Sequence, residues 1–249
     1  MKGGTARPAE FLVTCEHGGK RISSPYLGCF AGQEALLASH HGFDPGALAM
    51  ARTLAQQLKA PLIYSTVSRL LVDLNRSPGH PRLHAQCIRR LPEASRRRIL
   101  EKYYLPFRAR VEMAIVHALG DGKRVIHFSS HSFTPMLDGV ARTADVGLLY
   151  DPTRAEEAAL CRQWRICLKA REPGLRVRLN YPYRGKSDGF TSFLRRHFPA
   201  DDYLGVELEI CQGVVLSGGK AWRQRRALVM ASLAQALDQC KARDNPFHG

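Results

Sequence analysis

The sequence predicts an α/β fold, with a mainly parallel or mixed central sheet flanked by helices. Two observations carry that expectation. Short apolar runs alternate along the chain with helix-length amphipathic stretches, the rhythm of strands joined by helical crossovers. Hydrophobic residues make up 45% and charged residues 24% of 249 residues, a globular balance at a size that α/β folds reach undivided. One domain over residues 1–249 is therefore expected.

The elements follow in order. Phe11–Cys15 (FLVTC) is an apolar, β-branched run and reads as the first strand. Asp44-Pro45 signals a helix start, an acidic cap followed by proline at the first helical position, and the amphipathic stretch Pro45–Lys59 follows. Pro61–Ser65 and Leu70–Leu74 are the next apolar runs and are expected as strands. Asn75–Pro92, dense in Pro, His and Arg, reads as a long surface loop and a candidate active-site lid. Pro92–Leu119 is expected as a helix, Arg124–Phe128 and Val146–Tyr150 as strands, and Arg154–Lys169 as a helix. Leu175–Leu179 is a strand, Ser187–His197 a helix, Leu204–Ile210 the last strand and Gly219–Ala242 the closing helix. In such sheets ligands collect beyond the carboxyl ends of the strands, which says where to look for chemistry.

Composition narrows the function. No apolar run approaches the roughly 18 residues that span a bilayer, and the first ten residues lack the apolar stretch of a signal peptide. A cytoplasmic protein with no membrane partner is expected. The seven cysteines are scattered without a CxxC, which argues against a disulfide framework or a cysteine metal site. Lys and Arg number 37 against 22 Asp and Glu, a formal charge of +15. That balance suggests an anionic small molecule, a nucleic acid or an acidic surface as partner. Runs such as Arg96-Arg97-Arg98 read more readily as solvated helix faces.

Two histidines sit at expected strand exits among small residues: His17 in Glu16-His17-Gly18-Gly19, and His131 in Ser130-His131-Ser132. Neutral imidazoles are standard zinc ligands, and a catalytic zinc takes three protein ligands with one position left open. A lone histidine is more often structural, so the pairing at two exits carries the weight. Asp44 is the best third ligand, with a plain helix cap as its equal rival. His40 and His41 are alternatives. Glu207 and Glu209 alternate with Val206, Leu208 and Ile210, so both face one side of the last strand. Two carboxylates there are costly unless paired, hydrated or near a cation, unless the strand lies at an edge. Glu209, nearer the carboxyl end, is the stronger candidate for a general base. Arg69, Arg76 and Arg142 offer planar forks for a carboxylate, although any one of them also suits a surface charge. Arg69, Asp73 and Asn75 are expected on one face of the Leu70–Leu74 strand. Asn180–Gly185, running on into Ser187–Thr191, is a polar loop able to close over a substrate.

Taken together, Glu16–Gly19, Asp44 before its helix, Ser68–Arg76, Ser130–Ser132, Asn180–Gly185 and Glu209-Ile210-Cys211-Gln212 resemble the N-formylglutamate amidohydrolases. The resemblance runs from about Phe11 to Gln212. It implies an α/β fold akin to zinc-dependent exopeptidases and amidases, with His17, Asp44 and His131 as metal ligands and Glu209 as the catalytic carboxylate. It also implies hydrolysis of N-formyl-L-glutamate, or a related N-acyl amino acid, by metal-activated water, a late step in histidine degradation. Zinc or another divalent metal would be the cofactor and an anionic small molecule the substrate. Two other classes remain open: a zinc amidase acting on a peptide or cell-wall fragment, and a basic nucleic-acid-binding protein. The second finds no recognised motif in the sequence, and a serine hydrolase finds no GxSxG.

Overall fold

A computed structural model describes residues 7–244. Part of the signal-peptide expectation therefore lies outside the described residues, since it rests partly on residues 1–6. The chain runs β1 (Ala9–Cys15), a 3₁₀ turn (Ser24–Phe30), α1 (Glu34–Ala38), α2 (Ala47–Leu58) and β2 (Leu62–Tyr64). It continues through α3 (Gln86–Arg89), α4 (Glu93–Ile99), a π-helical turn (Leu100–Tyr104) and α5 (Leu105–Gly120). Then come β3 (Arg124–Phe133), β4 (Met136–Leu137), β5 (Val140–Ala141), β6 (Val146–Leu149), α6 (Ala155–Arg171) and β7 (Val177–Leu179). The last elements are α7 (Phe190–His197), β8 (Tyr203–Cys211), α8 (Gln212–Leu216) and α9 (Gly219–Asp244). Among the described residues no helix is long and apolar enough to cross a membrane.

Six strands form one sheet in the order β2-β1-β3-β8-β6-β7. β2, β1, β3 and β8 are parallel to one another, while β6 runs antiparallel to β8 and parallel to β7. The sheet is therefore mixed, with β3 and β8 at its centre. Val13, Cys15, Phe128, Val206, Leu208 and Ile210 pack on one side against residues of α2, α6 and α9. Leu12, Ile63, Val125 and Tyr203 pack on the other with Phe107, Val111 and Ile115 of α5 and Phe190 and Leu194 of α7. Every residue of β8 is buried. Its alternation is thus apolar against one helical layer and polar on the other face, which is where the chemistry gathers.

Several expectations are corrected. Leu70–Leu74 is not a strand: residues 68–76 turn, with Leu71 N–H donating to the Ser68 carbonyl and Arg76 N–H to that of Asp73. The turn lets Arg69 and Asp73 pair at i,i+4, which an extended run would not allow. Helix α2 starts at Ala47 with Gly46 as its left-handed cap (φ 82°), and no side chain caps it. Asp44 is therefore not the cap; its backbone carbonyl accepts the Ala47 N–H while its side chain is free to point elsewhere. β3 runs on to Phe133, so His131 lies within the strand and not beyond it. β8 is central, which removes the edge-strand alternative for Glu207 and Glu209. The 3₁₀ turn, α1 and the β4–β5 hairpin were not anticipated. Asn75–Pro92 is a wall segment tied down by its backbone: Asp73 N–H donates to the Leu83 carbonyl, Ala85 N–H to that of Leu70, and Leu83 and Ile88 are buried.

Candidate metal centre

His17 leaves the end of β1 on a turn that crowds the exit of β2. A Cβ on Gly19 would stand 2.7 Å from the Thr66 carbonyl oxygen, so only glycine permits that approach. Asp44 is held beside His17 by its own N–H, which donates to the His17 carbonyl at 2.9 Å. From β3, the hydroxyls flanking His131 fix the start of α2. Ser130 donates to the Ala47 carbonyl and Ser132 to the Pro45 carbonyl, and the Gln212 amide donates in turn to Ser132. The triplet Ser130-His131-Ser132 thus works as two latches around one functional ring.

These elements bring His17, Asp44 and His131 together. One ligand atom from each lies within 4.8 Å of the others, and all three residues are buried. Asp44 Oδ2 is 3.3 Å from His17 Nδ1 and 3.0 Å from His131 Nδ1. Both Nδ1 atoms therefore point inward. Both Nε2 atoms point outward to carboxylates: His17 Nε2 donates to Asp73 Oδ1 at 2.7 Å, and His131 Nε2 lies 3.3 Å from Glu16 Oε2 and 2.9 Å from Ser129 Oγ. Imidazoles that present one nitrogen to a cation and donate the other to a carboxylate are the arrangement metal sites favour.

The support behind His131 goes deeper. Thr14 donates to Glu16 Oε1 at 2.6 Å and Ser129 to Glu16 Oε2 at 2.7 Å. With its proton so committed, Thr14 Oγ1 must accept from His127 Nε2 at 2.8 Å, leaving His127 Nδ1 to accept from the Tyr203 hydroxyl at 2.6 Å. The chain Tyr203–His127–Thr14–Glu16 points its donors one way, toward the carboxylate behind His131. Burial pushes His127 down to about 4, so the ring is neutral, as this direction requires.

Electrostatics at the centre are those of crowded carboxylates. Burial opposes ionisation of Asp44, Asp73 and Glu16. Even so, His17, His131 and Arg69 hold Asp44 below the usual range, and Arg69 and His17 hold Asp73 well below it. His131 and Thr14 hold Glu16 down to about 2. Burial likewise disfavours a charged His131, yet Asp44 and Glu16 outweigh it and keep the imidazole well above its ordinary value. Positive charge is what the cluster wants.

Glu209 pairs in register with His131 across β3 and β8 and lines the same cavity. Burial, with Asp44 and Glu207 adding to it, pushes its carboxyl up to about 8. Its Oε2 is buried with no hydrogen-bond partner among the described residues. Two imidazole nitrogens, a carboxylate oxygen and an unpartnered buried carboxyl beside them fit a divalent cation with one open coordination position.

The model of the N-formylglutamate amidohydrolase family matches residues 9–216. The chain belongs to this family. The crystal structure of gene product Atu2144 from Agrobacterium tumefaciens superposes with a TM-score of 0.80 at 31% identity, covering 95% of this chain and 93% of that one. The N-formylglutamate amidohydrolase from Ralstonia eutropha JMP134 shares the fold, with a TM-score of 0.60 at 17% identity and 94% of each chain covered. No curated protein matches.

Around this cluster lies a cavity of about 840 Å³, onto which Arg69, Arg76 and Arg142 all open. They are differently engaged. Arg69 donates through Nε and Nη2 to Asp73 and through Nη1 to Asp44, bridging the two carboxylates. Arg76 gives Nη1 to the Asp188 carbonyl at 2.6 Å. Arg142 gives Nη2 to the Tyr183 hydroxyl and lies over the Tyr183 ring at 5.0 Å, while its buried Nη1 has no partner among the described residues. His40 and His41 stack on each other at 4.0 Å on the cavity wall, outside the ligand cluster. Asn75 accepts the Phe190 N–H at the start of α7, and the Thr191 hydroxyl donates to Glu207.

Sequence reasoning passed over Asp73 as a partner of His17, and it passed over Thr14, His127, Ser129 and Tyr203 entirely. A signal was there. Thr14 and Glu16 alternate with Val13 and Cys15, and His127, Ser129 and His131 with Phe128 and Ser130. A polar period of two inside an apolar strand marks a buried polar face.

Proposed function

We propose that this chain hydrolyses the amide of N-formyl-L-glutamate or a closely related N-acyl amino acid, releasing the acid and the free amine. The single observation that carries the reading is the convergence of His17, Asp44 and His131 beside Glu209. His17 Nδ1, His131 Nδ1 and an oxygen of Asp44 would hold a divalent cation, zinc being the natural match to that donor set. Such a cation supplies Lewis-acid polarisation of the acyl carbonyl and makes hydroxide accessible near neutral pH.

The chain's own groups do the rest. Glu209 takes the proton of the attacking water and returns it to the departing nitrogen, so one carboxyl serves as base and then acid. Asp73 and Glu16 keep the two imidazoles in the tautomer that leaves Nδ1 free. Arg69 offsets the charge of Asp44 and Asp73. Arg142 and Arg76, neither ion-paired among the described residues, receive the substrate carboxylates. The stacked and hydrogen-bonded Arg142 is pre-oriented for that contact.

The test combines composition with turnover. Protein purified without added metal is expected to contain one equivalent of a divalent metal. The His17→Ala/His131→Ala double variant is expected to contain none. Glu209→Gln should keep the metal yet lose at least about a hundredfold in kcat on N-formyl-L-glutamate. A parent free of metal after incubation with zinc, or near-parent turnover by Glu209→Gln, would overturn the reading.

A further inference from the structure

We infer that the natural substrate is larger than a single N-acyl amino acid: an N-acylated acidic peptide whose chain continues past the first residue toward the cavity mouth. The inference deepens the amidohydrolase reading and rests on it. Two independent observations carry it, one of space and one of charge.

The space is the cavity itself. At about 840 Å³ it lies in the upper part of the range of about 300–1,000 Å³ that holds drug-sized ligands. N-formyl-L-glutamate is far smaller than that. A site evolved only for it would leave most of this volume as bulk water around the reacting amide, the opposite of the enclosure that strengthens electrostatic catalysis. The walls are not collapsed onto the metal cluster because fixed elements hold them apart. On one side stands the 75–92 segment, pinned by its backbone to residues 70–73. On the other stands the β4–β5 hairpin, whose base is tied by Thr143 N–H to the Tyr181 hydroxyl and by Arg142 N–H to the Pro135 carbonyl.

The charge concerns how many arginines are left over. N-formyl-L-glutamate has two carboxylates, and Arg142 and Arg76 suffice for both. The cavity is lined in addition by Arg82, Arg89 and Arg184. None of these five forms an ion pair among the described residues, whereas Arg69 is paired with both Asp44 and Asp73. Arg82, Arg89 and Arg184 are exposed at the mouth, farther out than the buried ligand cluster. Exposed cavity guanidinium groups that no carboxylate pairs among the described residues complement a ligand with carboxylates beyond the first residue. The bond broken remains the N-terminal acyl amide. Water adds its hydroxyl to the acyl carbon and its proton to the amine, and the peptide leaves with a free amino terminus.

The experiment compares kcat/KM for N-formyl-L-glutamate with that for N-formyl-L-glutamyl-L-glutamate, in its α- and γ-linked forms, on the metal-loaded protein. One dipeptide is expected to exceed the amino acid by about tenfold or more, as one further charge-assisted hydrogen bond allows. The Arg82→Ala/Arg89→Ala double variant is expected to bring that ratio down toward one. If N-formyl-L-glutamate is turned over and neither dipeptide is better, the longer substrate is refuted while the amidohydrolase reading stands. A ratio above one that the double variant leaves untouched refutes the role of these arginines. If the loaded protein hydrolyses none of the three, both readings fall.

Discussion

Each imidazole of the cluster has a carboxylate behind it, and that backing is where single side chains have the largest leverage outside the ligands. Asp73→Asn and Glu16→Gln keep size and shape but remove the charge that fixes the tautomers of His17 and His131. Each is expected to weaken zinc affinity by about 10–100-fold, read by competition with a chelator, while the thermal midpoint identifies any variant that merely unfolds. Affinity unchanged in both would remove the backing role. His127 makes a separate prediction about pH. Burial sets its folded value near 4 against an ordinary 6.5, so between those values the unfolded chain binds more protons. Stability contributed by the neutral ring is therefore complete above about pH 6.5 and is lost as pH falls toward 4. At about 1.4 kcal/mol per unit the full effect is roughly 3 kcal/mol. His127→Asn retains a donor and an acceptor but cannot take up the proton. Its urea midpoint should fall less steeply between pH 7 and 4.5 than the parent's, and equal slopes would show that His127 is not the group responsible.

Among the elements, the start of α2 decides where Asp44 points. Gly46 caps the helix at φ 82°, and a Cβ there would come within 2.6 Å of the Val215 side chain. Gly46→Ala is expected to cost about 1–2 kcal/mol of stability from the left-handed backbone alone. The clash adds to that and shifts Asp44, so metal affinity should fall in the same variant. An unfolding curve and a metal titration on one preparation would check both, and loss of neither would show that the cap does not position Asp44. This element also shows what could be read from residues alone. The apolar runs of β1, β3 and β8 and the long amphipathic helices declare themselves by periodicity, and His17 and His131 by the small residues around them. The role of Asp44 was not legible locally, because Asp-Pro before a helix has the same pattern whether the carboxyl caps or coordinates. That the carboxyl does not cap follows from Gly46, two residues on, whose backbone conformation is a tertiary outcome. The Leu70–Leu74 run misled for a related reason: Leu71, Val72 and Leu74 are buried in the second core and Leu70 packs against it, and burial of a turn gives the same apolar string as burial of a strand.

At the scale of the molecule, the chain carries a formal charge of +15, and six arginines line the cavity, of which Arg69 alone is ion-paired among the described residues. Attraction of an anionic substrate into such a cleft is long-ranged and is screened by salt. Raising salt from about 20 mM to 300 mM should therefore lower kcat/KM for N-formyl-L-glutamate several-fold, chiefly through KM, across a range where the Debye length shrinks from roughly 20 Å to 6 Å. A neutral N-formyl amino acid amide is the control and should change little. Equal salt effects on the two would mean that the field of the molecule plays no part in capture.

The division of labour across the central strands has a further consequence. Groups that would hold the cation and move protons come from the turn after β1, from β3 and β8, and from the turn before α2, all buried. The cavity walls around them come from the 75–92 segment, the Met136–Ala141 hairpin and the 180–189 loop. On the proposed reading, chemistry and selectivity would thus sit on separate stretches of chain. Exchanging the hairpin or a loop for one of another length can redirect which acylated amine is accepted without disturbing the bond-breaking apparatus, and so one scaffold can give rise to many amidases.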